Sequence, residues 1–268
     1  AALAALAALA PAAIHAQPAG YPNKPIRFVV PYAAGGLPDT VARIVAQRLG
    51  DRLGQSVIVD NRPGANGGVA ASLLASAPAD GYQFLVTDGS MLSINPAIYT
   101  KLTYDAQKDF VPVALVARAP LFLAVHPKVP AATLAEFIAY VKSRPGQVNY
   151  GSSGIGSTHH LTIEAMKSAL GLDMVHVPFK GTGQSVPALV GGQVEVLMSA
   201  YPSLSGFVKD GRVRMLATNS EQRSAQAPDL PAIAELIPGF DFAPIVGVLA
   251  PAGTPPDIVQ RIASEVTA

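Results

Sequence analysis

Short apolar runs alternate with helical periods along most of the chain, and this alternation narrows the fold more than any other feature. Runs at 26–30, 57–59, 84–87, 121–125, 148–150, 174–177, 194–198, 213–218 and 245–249 have strand length and are mostly Val, Ile, Leu and Phe. Continuous apolar runs belong to strands covered on both faces. Helical stripes stand between them: Val41, Ile44, Val45 and Leu49, then Val69, Leu73 and Leu74 before Pro78. Thr133 and Glu136 make a capping box ahead of Phe137, Ile138 and Val141. Leu161, Met166 and Leu170 share a face, and Gly171 closes that helix. The expected class is α/β, with parallel-rich sheets flanked by helices.

Two junctions in this pattern carry chemistry. The segment 26–49 runs from strand through PYAAGGLPD (31–39) into a helix, and 148–170 runs through YGSSGIGS (150–157) into another. Both loops have little side-chain bulk. The first-turn N–H groups of a helix lack intrahelical partners and lie at the positive end of its dipole. Such an end holds an anion without any Lys or Arg. Two of them, over a hundred residues apart, suggest an acid gripped between two lobes.

The 268 residues are ample for two lobes of roughly 100–130 residues each. The least periodic stretches, 105–119 and 221–242, are the expected crossings. They give lobe one as 20–117 plus 226–268 and lobe two as 118–225. A chain that crosses twice places its ligand in the cleft.

Only 14% of residues are charged, and the net charge is +1 with Lys and Arg scattered. That balance offers no footprint for nucleic acid and no basic patch for a membrane surface. Without cysteine there is no disulfide, thiol nucleophile or cysteine-ligated zinc. Residues 1–16, an Ala/Leu run ending in Ile14, His15 and Ala16, read as the remnant of a signal peptide cleaved near Gln17, so the product is expected to be exported. Its apolar stretch is shorter than the roughly 20 residues a membrane span needs. At the other end, Thr254 and Pro256 are expected to open a helix whose apolar face is still running when the chain stops.

The motifs, taken in order, resemble the Bug family of periplasmic solute-binding proteins, receptors of tripartite tricarboxylate transporters. PYAAGG is followed by VDNRPGANGG (59–68), ADGY (79–82), Asn95–Pro96, KDFVPV (108–113) and VHP (125–127). YGSSGIGS, VHVPFKG (175–181), GGQV (191–194) and LAPAGTPP (249–256) complete the series, so the resemblance covers nearly everything from Tyr21 onward. It implies a two-lobed Venus-flytrap fold of the periplasmic binding protein type, type II-like, closing on a small di- or tricarboxylate or aromatic acid, without cofactor, metal or catalysis. The implied partners are the membrane subunits of a tripartite transporter, and the receptor is expected to be a monomer in the periplasm. The implied ligand residues are Ala34, Gly35, Gly36 and Leu37 from lobe one and Ser152, Gly156, Ser157 and Thr158 from lobe two. Thr87, Ser90, Lys180 and Gly181 are expected at the cleft, with Asp39 and His159 beside it. Many relatives have an acid near Ser199, where a ligand amino group is received. Ser199 therefore tilts the expectation toward acids without an ammonium group.

Other readings fare less well. Gly151, Ser152, Ser153 and Gly154 superficially suggest a serine hydrolase, but Ile155 stands where a nucleophile elbow closes with Gly. No acid is placed by the sequence to orient His159 or His160. A dinucleotide loop fails because His159 replaces its third Gly. His126, His159, His160 and His176 lack tight metal-ligand spacing, and His160 with Glu164 reads as a helix-surface pair. His176 reads as a core or cleft-edge residue, Lys180 as either a cleft or a rim residue, Asp39 as already explained by the helix dipole, and Arg43 as structural. A receptor of this shape can also present its ligand to a sensor.

Overall fold

The structure, a computed structural model, describes residues 20–268. The expected signal peptide at 1–16 lies outside the described residues. In chain order the elements are β1 (Ile26–Val30), α1 (Leu37–Leu53), β2 (Val57–Asn61), α2 (Gly68–Ala75), β3 (Gln83–Thr87), α3 (Ser90–Ser93), α4 (Asn95–Ile98), β4 (Phe110–Arg118) and β5 (Leu121–Val125). There follow α5 (Leu134–Lys142), β6 (Asn149–Ser152), α6 (Thr158–Leu170), β7 (Val175–Pro178), α7 (Thr182–Val190), β8 (Val196–Ala200), α8 (Tyr201–Lys209), β9 (Arg214–Thr218), β10 (Ile245–Pro251) and α9 (Pro256–Thr267). No helix among the described residues is long and apolar enough to cross a membrane.

The strands form two five-stranded sheets, ordered β2-β1-β3-β10-β4 and β7-β6-β8-β5-β9. Each has a parallel half, β2-β1-β3 and β7-β6-β8, at the runs expected above; the inner strands are mostly buried, whereas the edge strands β2 and β7 are half exposed. Each is completed by two strands in antiparallel pairing. In both sheets the fourth strand is the one that arrives directly from the other lobe, β10 in the first and β5 in the second. β4 falls within 105–119, expected to be loop. It is half exposed along its length and contains Pro112, so it presents no continuous apolar run; edge position is where a strand tolerates the missing N–H of proline.

The helices turn a smaller-residue face inward than the sequence suggested. α1 buries Ala42, Ala46 and Leu49, whereas Ile44 is 53% exposed. α2 buries Ala70, Ala71 and Leu74 and leaves Val69 outside. Alanine faces let a helix approach its sheet closely, so the apolar stripe is set by fit as well as by bulk. Phe28 and Phe84 meet edge-to-face beneath α1's sheet, at 6.1 Å between ring centres. In α9 the N-cap is Pro255; the Thr254 hydroxyl donates instead to the Pro251 carbonyl.

The two crossings run side by side and are held by Asn219, which is fully buried. Its side-chain oxygen accepts from the Leu121 N–H at 2.7 Å, and its amide donates to the Phe242 carbonyl at 2.9 Å. The stretch 226–240, expected in lobe one, packs on the second lobe. Thr218 bridges Ala232, Leu230 joins the cluster around Phe122 and Leu204, and Arg223 forks onto Glu235. The return to sheet one therefore comes after Phe242, because the apolar residues in that stretch find cover on lobe two.

Candidate functional site

Each glycine-rich junction ends at the gap between the lobes, and each meets a different partner across it. At the first, Gly36 caps α1 and the Gly35 N–H donates to Asp39 Oδ2 at 2.9 Å. Asp39 also accepts from Arg43 Nε at 3.0 Å and from the Asn61 amide at 2.9 Å. Burial pushes its carboxyl upward, but those bonds outweigh the burial and hold it below the usual carboxylate range. Asp39 therefore fixes the loop, and its carboxylate is taken up by partners of its own lobe. Arg43 is structural, as expected.

Lobe two closes tightly on this loop. The Ala33 N–H donates to the Lys180 carbonyl at 3.1 Å, and the Ser203 hydroxyl donates to the Gly35 carbonyl at 3.0 Å. A Cβ at Gly36 would lie 2.6 Å from Thr182 Oγ1. One at Gly183 would collide with the Ala34 carbonyl oxygen, and one at Gly181, whose φ is +145°, would lie 2.8 Å from Ala33 N. Gly181 is buried in this contact, while the Lys180 side chain is exposed at the rim. The starts of α1, α7 and α8 thus converge.

At the second junction Ser157 is the N-cap of α6, its hydroxyl accepting from the His160 N–H at 3.2 Å. The Gly156 carbonyl accepts from Asn66 Nδ2 of lobe one at 2.9 Å, and the Tyr99 hydroxyl donates to the Ile155 carbonyl at 3.3 Å. Gly156 has a φ of +80°, and a Cβ there would collide with Ile98. The Thr158 hydroxyl donates to Asp88 Oδ2 at 3.4 Å. Behind it Asp88, Ser90, Tyr32 and Asn66 form a buried network, with Tyr32 and Ser90 hydroxyls 2.7 Å apart. Burial, then the Asp88 charge, pushes the Tyr32 hydroxyl well above its ordinary range. Thr87 is buried, its hydroxyl accepting from the Gly89 N–H at 3.3 Å.

Ser152 is engaged by partners of its own lobe. Its hydroxyl meets His176 Nε2 at 2.6 Å and accepts from the Gly154 N–H at 3.1 Å. His176, His160 and Tyr150 stack, with the two imidazoles 4.1 Å apart. Tyr150 and Lys167 both bond Glu164. Burial, then the neighbouring His160 charge, lowers His176 to about 4. Among the described residues no carboxylate bonds the His176 ring, so Ser152 and His176 lack the third group that orients a catalytic base.

Several buried polar atoms have no partner: Ser153 Oγ, both ring nitrogens of His159, and the hydroxyls of Thr162, Ser185 and Ser199. An unmade buried hydrogen bond costs about 1–3 kcal/mol. A cavity of about 190 Å³ opens between the lobes, lined by Tyr32, Asn66 and Tyr99 on one side and Ser153, Ile155 and Lys180 on the other. Of the unpartnered groups only Ser153 lines it. A larger groove of about 570 Å³, beside Leu134, Ile138 and Leu236, lies on the outer face of lobe two and touches neither junction. Sequence reasoning missed Tyr32, Asn66, Asp88, Tyr99, Thr182 and Ser203. Only Asn66 carries a local signal, the Asn-Gly-Gly run that permits its left-handed backbone, φ 45°.

Residues 41–268 match the sequence model described as the tripartite tricarboxylate transporter family receptor. The chain belongs to that family. Protein BugT of Bordetella pertussis is a relative 37% identical over 241 residues, 89% of this chain and 74% of its own. Among solved structures, R. palustris Rpa4515 with adipate superposes with a TM-score of 0.89 at 36% identity, covering 92% of this chain and 83% of its own. MatC from Rhodopseudomonas palustris, with bound malate, gives 0.84 at 33% identity, covering 92% and 84%. Family receptors of this kind are periplasmic solute-binding proteins and not enzymes. The two mixed sheets are the two-lobed binding-protein fold.

Proposed function

We propose that this receptor captures a small carboxylate between its lobes and delivers it, as a monomer in the periplasm, to the membrane subunits of a tripartite tricarboxylate transporter. The observation that carries the reading is that the loops leading into α1 and α6 each meet the opposite lobe, beside an interlobe cavity lined by residues of both junctions, Tyr32 from the first and Ser153 and Ile155 from the second. First-turn N–H groups at Leu37, Thr158 and His159 are the donors for the acid, with Gly35, Gly36 and Gly156 permitting close approach and Ser199 contributing its unpartnered hydroxyl. Ligand binding shifts the population toward the closed arrangement because only that state presents both helix starts together. The carboxylates held by Rpa4515 and MatC support this class of ligand.

A thermal-shift screen of di- and tricarboxylates, aromatic acids and amino acids tests the reading. At about 100 times its dissociation constant a ligand adds about 2.7 kcal/mol, which is several degrees at roughly 2–4 °C per kcal/mol. A clear shift with one acid, recovered unchanged, is the expected result. Absence of any shift in protein stripped of carried-over ligand refutes carboxylate capture.

A further inference from the structure

Asp88 sits at the lobe closure with 7% of its surface exposed, and every group that bonds it is neutral. Its Oδ1 accepts from the Tyr32 hydroxyl at 3.0 Å, the Ser90 N–H at 3.2 Å and the Ser90 hydroxyl at 2.9 Å. Its Oδ2 receives the Thr158 hydroxyl from the other lobe, at 3.4 Å. The ion pairs among the described residues do not include it. A buried charge is costly unless paired, and one long bond leaves Oδ2 with most of its accepting capacity unused.

A second observation points to the same place. His159 follows Thr158, is 6% exposed, and has no partner on either ring nitrogen. Burial lowers it to about 4, and the nearby Asp88 charge opposes that shift. The neutral ring offers one acceptor and one donor. Tyr32, whose hydroxyl holds Asp88, also lines the interlobe cavity. An unpaired carboxylate and an imidazole acceptor therefore stand just behind the wall of a cleft whose helix starts suit an anion. This combination matches a molecule with both charges, whereas a second carboxylate brought to Asp88 meets repulsion.

We propose that Asp88, with His159 beside it, receives a protonated nitrogen of the ligand, so that the cleft prefers an amino acid to the matching acid without the amino group. The inference rests on the proposed capture of a carboxylate in the cleft. It reverses the expectation drawn from Ser199, because the charge partner comes from the opposite lobe.

The test is calorimetric titration of matched pairs that differ in the amino group alone. L-Aspartate with succinate, L-glutamate with glutarate, and L-phenylalanine with 3-phenylpropionate are the starting pairs, extended to whichever carbon skeleton gives the largest thermal shift. The expected result is at least tenfold tighter binding of the amino member, and inversion of that preference by Asp88→Asn. Equal or tighter binding of the plain acid by the unaltered protein overturns the inference while leaving carboxylate capture standing. Retention of the full preference by a folded Asp88→Asn protein overturns it as well. If no acid of either kind binds, both readings fall. The unaltered protein decides the question even if the variant does not fold.

Discussion

Replacing Gly183 with Ala is expected to move stability and ligand affinity in opposite directions. Gly183 is the second residue of α7, and its backbone is not in the left-handed region. Alanine is better than glycine by up to about 1 kcal/mol in a helix interior and by less in a first turn, so the free receptor holds or gains stability. In the closed arrangement the new methyl meets the Ala34 carbonyl oxygen of the other lobe. That obstacle is backbone and cannot rotate away. Overpacking costs about 1–3 kcal/mol, and withdrawal of the loop also loses the Ala33–Lys180 bond, worth about 1 kcal/mol. The closed state then lies about 2–4 kcal/mol higher. At 1.4 kcal/mol per tenfold, affinity falls roughly 30- to 700-fold. Calorimetry with the acid found by screening reads the affinity, and thermal unfolding without ligand reads the stability. Unchanged affinity would refute the argument that these glycines are kept small for closure. A matching loss of unliganded stability would show that the contact belongs to the ground fold and not to ligand-driven closure.

Ser157→Ala removes the α6 cap and is expected to cost about 1 kcal/mol in urea unfolding, with weaker ligand binding in the same protein; intact stability and affinity together would place the site elsewhere. Stability is also expected to fall as pH drops from about 6.5 toward 4. His159 and His176 are held near 4, so the unfolded chain, titrating near 6.5, binds protons that the fold excludes. For His159 the ceiling is about 3 kcal/mol at 1.36 kcal/mol per pKa unit; His176, being partly exposed, adds less. A flat unfolding free energy across that window would count against both assignments.

Much of this protein was legible because the relevant forces act over a few residues. Short strand-length runs marked the six parallel strands, apolar in β1, β3 and β8 and broken by polar residues in β6 and β7; Thr133 with Glu136 marked α5, and Ser157 marked α6. The two glycine-rich junctions were visible for the same reason, since capping and small-residue turns are local chemistry. The family motifs added an ordered series along the chain. Where the expectation slipped, fit had overruled composition. Ile44 and Val69 looked like core and lie exposed, while Ala42 and Ala70 are buried in their place. β4, with its Pro112 and half-exposed face, carries no periodic signal that separates an edge strand from a loop.

Sequence alone therefore settled the α/β alternation, the caps of α5 and α6 and the family. Tertiary structure decided which groups the helix starts meet. Asp39 and Ser152 were expected at the ligand and bond partners of their own lobes, Arg43 and Asn61 for Asp39 and His176 for Ser152. Asp88, by contrast, drew no notice in the sequence, and the partner on its Oδ2, Thr158, arrives from the other lobe. Partners such as Asn66 with Gly156, or Gly183 with Ala34, lie 90 and about 150 positions apart along the chain. Spacing cannot encode such a meeting. It depends on how two sheets, joined at Asn219, bring their loops together, and on whether the polar groups buried there find partners.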